Sequence, residues 1–425
     1  MAQDALAARR AAWRMISAAM ADGRLFSETA PKLLEPLAPP DRARAQRLAT
    51  ETLRWAGRAD RVLGPYLRQK PEPALHGLLR LGVWEICTDG AAPYGVVDAL
   101  VTILKETGVP KGQTGFVNAV LRRVGKGRVV WEDLPIPELP RWLRNPLLAD
   151  YGKAVIAGIE RAHAAGAPLD ITPARAAPAD LAERLGATPL PTGGLRLTDP
   201  GQVSRLPGYA DGHWWIQDAA ASLPARCLAP AEGARVLDLC AAPGGKTMQL
   251  ADAGAAVTAL DISESRMTRL RENLARTGLS ANLVVADAFD WAPDAPFDAI
   301  LLDAPCTATG TIRRHPDLPH AKDSADFAAL FELQARLIDR AFGWLRPGGR
   351  MVYCTCSLLF DEGEEQITDA LARHPGLAVD ADATRIEGVD AGWHTPEGGL
   401  RLRPDYWPDR GGMDGFYIAV LQKPA

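Results

Sequence analysis

Arg235-Val-Leu-Asp-Leu-Cys-Ala-Ala-Pro-Gly-Gly-Lys-Thr247 decides the fold. Val236 to Leu239 is a short apolar run interrupted only by Asp238. That is strand length rather than helix length. Cys240-Ala-Ala-Pro-Gly-Gly245 then breaks the run, and a helical stretch begins at Lys246. A strand, a glycine turn and a helix N-terminus in that order let backbone amides approach a ligand closely. Gly-Lys-Thr invites a phosphate-binding loop, but that motif requires glycine where the chain has Cys240, and G-x-G-x-x-G is lacking.

The same strand-turn-helix pattern repeats downstream. Ala256–Leu260 ends at Asp261, Asn282–Ala286 at Asp287, Phe297–Leu302 at Asp303 and Gly349–Tyr353 at Cys354. Helical stretches, including 264–277 and 324–346, separate the strands. Repeated units of this kind predict an α/β fold with a parallel, doubly wound sheet. Ligands bind at the carboxyl ends of such strands. Asp261, 17 residues beyond Gly244, is placed to accept hydrogen bonds from ribose hydroxyls, and Asp287 to meet an adenine edge. A lone acid at a strand end is often a helix cap. Several in consecutive units after a glycine turn describe an adenosine-type cofactor.

Two cysteines follow the next two strands: Cys306 in Asp303-Ala-Pro-Cys306, and Cys356 in Thr355-Cys356-Ser357. Thiols at neighbouring strand ends can face one cleft. Beside an adenosine cofactor they suggest nucleophilic chemistry, in which a thiolate adds to C6 of a pyrimidine and C5 then attacks a methyl donor. Asp303 can hydrogen-bond the ring, and a second thiol can help remove the C5 proton. Cys87 and Cys227 read as buried small hydrophobes, and Cys354 as a core residue. No paired C-x-x-C and no suitable histidine cluster is present, so no metal is expected.

Upstream, residues 1–127 read as six or seven helices, with apolar residues recurring at helical spacing at Leu6, Trp13, Ile16, Ala19 and Met20. Prolines then cluster from 135 to 146 and again from 168 to 207, as in a linker with a small mixed α/β region. The formal net charge of −4 conceals an asymmetry. Residues 1–130 hold 20 Lys and Arg against 12 Asp and Glu, a net of +8, which leaves −12 for the rest. Charge alone leaves open both a polyanion partner and a solvated helical surface. The hydrophobic share of 47% and charged share of 24% exclude wholesale disorder and fibrous folds. No run approaches the ~18 apolar residues of a membrane span. Six cysteines in 425 residues are too sparse for a disulfide scaffold, so reduced thiols in a cytoplasm are expected.

Taken together, these stretches resemble the Sun/Nop-type family of S-adenosylmethionine-dependent RNA cytosine-C5 methyltransferases. Val236–Thr247 matches the family's cofactor loop almost letter for letter, and Asp303–Cys306 and Thr355–Ser357 match its two cysteine motifs. Trp215-Ile-Gln-Asp-Ala-Ala220 resembles the element leading into the catalytic domain, and Asp414-Gly-Phe-Tyr417 its closing strand. Leu78-Leu-Arg-Leu-Gly82 and Gly115-Phe-Val-Asn-Ala-Val-Leu-Arg-Arg123 look like the NusB-type helical RNA-binding domain of one branch. The resemblance covers essentially the whole chain.

It implies a class I Rossmann-like methyltransferase domain at 231–425, preceded by an all-α NusB-like domain at 1–127 and a small α/β linker subdomain at 128–230. It implies S-adenosylmethionine as cofactor, held by Cys240, Ala241, Ala242, Pro243, Gly244, Gly245, Lys246, Asp261, Arg266, Asp287 and Asp303. It makes Cys356 the nucleophile and Cys306 the product-release cysteine, with Asp303 beside them. The expected partner is RNA, in the nearest branch 16S ribosomal RNA, and the expected product 5-methylcytosine, made by a monomer with neither metal nor membrane. Thr307-Ala308 departs from the family's usual Ser-Gly, Leu318-Pro-His-Ala321 from a Lys/Trp-containing run, and Asp361-Glu-Gly-Glu-Glu-Gln366 from a run ending in Asn. These departures put the exact RNA target in question. A DNA cytosine methyltransferase with its nucleophile at Cys306, and a non-enzymatic RNA-binding factor, are the alternatives. Thr355-Cys356-Ser357 argues against the first and the intact cofactor loop against the second.

Overall fold

The computed structural model describes residues 2–108, 110–127, 129–325 and 327–425. They fall into two compact units, Met1–Gly166 with Ile312–Ser324, and Ala167–Thr311 with Ala325–Ala425.

The first unit is helical: α1 (Ala2–Asp22), α2 (Phe26–Leu34), α3 (Pro39–Arg54), α4 (Ala56–Leu63), α5 (Pro73–Cys87), α6 (Pro93–Glu106), α7 (Lys111–Val124) and α8 (Arg141–Ala165). On α1, Ala8, Ala12, Met15, Ile16 and Ala19 are buried, the i, i+4, i+7, i+8, i+11 stripe of an amphipathic helix. Helix α5 is buried on every side from Leu75 to Glu85, so it forms the centre of the bundle. Its Gly82 is required there: a β-carbon would come within 2.7 Å of Leu121 Cδ1 and 2.9 Å of Leu100 Cδ1. The charges that α5 buries are paired. Glu85 takes Arg9 Nε at 2.8 Å, and Arg80 makes a two-pronged bond to Asp60 at 2.8 and 2.6 Å. Residues 312–324, read from sequence as part of the catalytic region, pack within this unit. Asp317 Oδ2 accepts from the Phe26 amide at 2.7 Å, and Arg54 donates to Arg313 O at 2.8 Å.

The second unit holds two sheets. The smaller joins β1 (Leu169–Pro173), β2 (Thr188–Pro189), β3 (Leu195–Leu197) and β4 (Trp214–Ile216), all antiparallel, around Ile171, Leu195, Leu197 and Trp214. The larger contains β5 (Arg235–Leu239), β6 (Ala256–Asp261), β7 (Asn282–Val285), β8 (Phe297–Asp303), β9 (Leu345–Thr355), β10 (Ala378–Val379), β11 (Leu400–Leu402) and β12 (Phe416–Gln422). Its order is β10-β12-β9-β8-β5-β6-β7, with β11 also on β12. The five strands expected from sequence run parallel from β9 through β7. The closing strand β12 lies antiparallel to β9, so the sheet is mixed rather than wholly parallel. Period-two alternation divides the core between the two faces. Val236, Leu301, Val352 and Ile418 bury one face, and Leu237, Ile300, Met351 and Ala419 the other.

Candidate active site

Strand order fixes the layout of the site. Side by side, the carboxyl ends of β9, β8, β5, β6 and β7 deliver Cys356, then Asp303 and Cys306, then the Cys240–Lys246 loop, then Asp261, then Asp287. The thiols therefore stand on one side of the cofactor loop, and the acids expected to hold ribose and adenine on the other. All lie within the second unit.

The loop after β5 is tightly formed. Cys240 has φ 63°, Ala242-Pro243 is a cis peptide, and Gly244 has φ 105°. A β-carbon at Gly244 would lie 2.1 Å from Leu270 Cδ1, so only glycine fits. The helix Gly245–Asp252 starts directly after it. The amides of Cys240 and Ala241 donate to Leu260 O at 2.9 and 3.1 Å, which ties the loop to β6. Asp238, fully buried beneath the loop, accepts from Thr247 Oγ1 at 2.5 Å. Burial and the nearby Asp303 push its carboxyl up to about 7 against that hydrogen bond.

Asp261 is 2% exposed and accepts from the amides of Ala242 at 3.1 Å and Ser263 at 2.8 Å. Arg266 Nη2 reaches both of its oxygens, at 2.8 and 3.0 Å, from a half-exposed side chain. The two residues expected at the cofactor thus meet each other. Asp287 is half-buried, and its Oδ1 accepts from the Phe289 amide at 2.9 Å, the cap-like contact an acid at a strand end commonly makes. The sequence reading missed Ile262, an apolar side chain 66% exposed immediately after Asp261. Its signal was available: an apolar residue continuing past a strand end among polar neighbours.

At the other side, Lys246 Nζ pairs with Asp303 Oδ2 at 2.8 Å and lies 5.0 Å from the centre of the Phe416 ring. Burial works against the ammonium, but the Asp303 carboxylate more than offsets it and raises the Lys246 pKa. Asp303 Oδ1 accepts from Cys354 Sγ at 3.5 Å. Cys354 is fully buried, and burial followed by Asp303 pushes its thiol well up. Cys306 Sγ and Cys356 Sγ lie 3.5 Å apart, both half-buried. The hydrogen bond to Cys356, then burial, with the nearby Glu362 carboxylate adding to them, push the Cys306 thiol well above the ordinary range. Cys306 therefore keeps its proton and can donate it to the Cys356 sulfur. Cys240, buried beside Asp261 and Asp303, is likewise held as a neutral thiol. Ala308, two residues past Cys306, has φ 58°, which explains glycine as the family's usual residue there. Among the described residues no group of His, Cys, Asp and Glu could hold a metal ion, and no helix is long and apolar enough to cross a membrane.

Comparison with known proteins gives the family. The sequence model of the 16S rRNA methyltransferase RsmB/F family matches residues 225–422, and that of the NusB family residues 6–126. The chain is 37% identical to a ribosomal RNA small subunit methyltransferase B of Pseudomonas putida, over 98% of both chains. It is 36% identical to one of Xanthomonas campestris, over 98% of this chain and 97% of that one. Among solved structures, that of PH0851 superposes with a TM-score of 0.76 over 97% of this chain and 99% of that chain, at 21% identity. A methyltransferase homolog protein from Pyrococcus horikoshii superposes with a TM-score of 0.55 at 28% identity, covering 67% of this chain and 95% of that chain. The chain belongs to the 16S rRNA methyltransferase RsmB/F family and is an S-adenosylmethionine-dependent RNA methyltransferase.

Proposed function

We propose that this enzyme makes 5-methylcytosine in 16S ribosomal RNA, in the cytoplasm, through a covalent bond between Cys356 and C6 of the target cytosine. The observation that carries this reading is the pair of thiols 3.5 Å apart, beside the Lys246–Asp303 ion pair and next to the cofactor loop. The relatives named for 16S methylation supply the RNA.

The residues present fit S-adenosylmethionine. Gly244 lets the loop close against Leu270, Asp261 can exchange the half-exposed Arg266 for ribose hydroxyls, and the exposed Ile262 that follows offers an apolar face for adenine. When bound, the cofactor supplies an electrophilic methyl group on a sulfonium sulfur. Cys306 donates its S–H toward Cys356 and leaves that sulfur free to attack. Cys356 adds to C6, and the C5–C6 π electrons move to C5, which takes the methyl group. Asp303, held by Lys246, hydrogen-bonds the ring and steadies the adduct. Once Cys356 is bonded to carbon it no longer accepts from Cys306, whose proton passes to solvent. The Cys306 thiolate takes the C5 proton, the C5–C6 double bond re-forms, and the electron pair of the S–C6 bond returns to Cys356.

We assign RNA binding to residues 1–127, linkage to 128–230, of which the part up to Gly166 packs with the first unit, and catalysis to 231–425 apart from 312–324, which pack there too. The target base must be unstacked or in a loop, because a thiol cannot reach C6 within a helix. The test is nucleoside analysis of 16S transcript incubated with the enzyme and labelled methyl donor. Label in 5-methylcytidine supports the reading, and label in any other nucleoside contradicts it.

A further inference from the structure

Glu362 is completely buried, in a 3-10 turn Phe360–Glu362 that begins four residues after Cys356. A carboxylate taken out of water is costly unless hydrogen bonds replace its hydration. Its partners here all serve one loop. Oε1 accepts from the Thr307 amide at 2.9 Å and Oε2 from the Thr307 hydroxyl at 2.5 Å. Oε1 also accepts from Gln334 Nε2 at 2.9 Å, and the same Nε2 donates to Pro305 O at 2.9 Å. Gln334 is itself fully buried on the helix Phe327–Trp344. The residues immediately before and after Cys306 are therefore both held by one carboxylate, Thr307 directly and Pro305 through Gln334.

The main chain of Glu362 holds the other thiol's strand. Its carbonyl accepts from Tyr353 Oη at 2.9 Å and Thr355 Oγ1 at 3.0 Å, both on β9 just before Cys356. Glu362 is thus the point where the Cys306 loop and the Cys356 strand are tied together. An ordinary acidic turn on the surface would carry none of these bonds.

We infer that Glu362, acting with Gln334, is a positioning residue that sets Cys306 Sγ where it can remove the C5 proton of the methylated adduct. This rests on the reading of Cys306 as the release residue. Misplacement of a reacting group by about 1 Å can cost on the order of 10²-fold in rate, so the effect falls on one step. Addition and methyl transfer depend on Cys356 and proceed. Release depends on Cys306 and slows.

The experiment is a single-turnover reaction of the full-length enzyme with unmodified 16S transcript and labelled methyl donor. Methyl transfer and decay of the protein–RNA adduct are followed separately on denaturing gels. Glu362→Ala should slow adduct decay by roughly 10–100-fold while methyl transfer changes much less. Gln334→Ala should slow decay in the same direction, more weakly. Glu362→Gln keeps an oxygen for the Thr307 and Gln334 amides and presents an amide to the Thr307 hydroxyl, so it should recover most of the decay rate. If Glu362→Ala does not fold, Gln334→Ala and Thr307→Val carry the same test. A purely structural role would lower the melting temperature and leave the ratio of decay to methyl transfer unchanged, which overturns the inference. Cys306→Ala run in parallel separates the two levels. If it stalls as an adduct and the Glu362 and Gln334 variants do not, only the positioning role fails. If Cys306→Ala itself forms no lasting adduct, the release role and this inference fall together.

Discussion

Cys306 Sγ and Cys356 Sγ stand 3.5 Å apart although fifty residues separate them in the chain. Parallel pairing of β8 with β9 brings this about, with Asp303 opposite Cys354 in the register. The two loops that follow are then joined by the Gly310 amide, which donates to Cys356 O at 2.9 Å. Two sulfurs at this separation have different tasks, because only one can bond to C6 at a time.

Asp261 should matter to cofactor binding more than to the fold of the sheet. Asp261→Ala removes the carboxylate proposed to receive the ribose hydroxyls. Calorimetric affinity for S-adenosylmethionine should weaken by about 1–3 kcal/mol, the range for a lost partner of a polar group. An unchanged affinity in a folded variant would remove the ribose role.

The RNA affinity of the first unit should depend on salt through named residues. Arg122, Arg123 and Lys126 are exposed at and just beyond the end of α7. Replacing all three with Gln should make log K against log salt shallower by about 2, given about 0.7 per phosphate contact on a single strand. A slope identical to that of the native chain would mean that these cations form a solvated face only.

Acid should destabilise the first unit through two histidines. His163 is buried, and among the described residues neither of its ring nitrogens has a hydrogen-bond partner. Burial, then the charges of Arg54 and Arg313, push its pKa down to about 3. Burial, then Arg80, pushes His320 down to about 4. Both are neutral when folded, whereas the unfolded chain takes up these protons near pH 6.5. Their stabilising contribution is therefore full above about pH 6.5 and is lost as pH falls toward 4, at roughly 1.4 kcal/mol per pH unit for each group. Urea unfolding near pH 7 and near pH 5 should show a smaller loss in His163→Leu than in the native chain. Equal losses would refute a neutral buried His163.

Ala308 pays for its left-handed backbone. Ala308→Gly should stabilise the enzyme by up to about 1 kcal/mol and leave methyl transfer intact, because glycine adopts φ 58° without the Cβ contact. Thermal unfolding that shows a clear loss would mean that the Ala308 methyl group is needed for packing.

Much of this was readable from sequence where one residue pattern had one physical cause. Each apolar run that becomes β5, β6, β7 or β8 stops at a polar residue at or just past the strand's carboxyl end, so the strand-end acids could be named before the sheet was seen. The strand beyond the closing one was harder: Leu400–Leu402 is too short to show a period, and only pairing with β12 makes it a strand. The packing of residues 312–324 within the first unit depends on contacts such as Asp317 to Phe26, 291 positions apart. Local pattern carries no trace of such contacts. Glu362 was hidden for the opposite reason. In Asp361-Glu-Gly-Glu-Glu-Gln366 it reads as one member of a solvated acidic run, and only burial singles it out.

The most direct test of the account compares Cys306→Ala with Cys356→Ala on unmodified 16S transcript, scoring covalent protein–RNA complex on a denaturing gel alongside methyl incorporation. Cys356→Ala should give neither complex nor methylation, since addition to C6 precedes every later step. Cys306→Ala should attack, methylate and stall as a slow-migrating adduct. Cys354→Ala, two residues from the nucleophile and packed in the core, should stay active. An adduct formed by Cys356→Ala and not by Cys306→Ala would contradict the account.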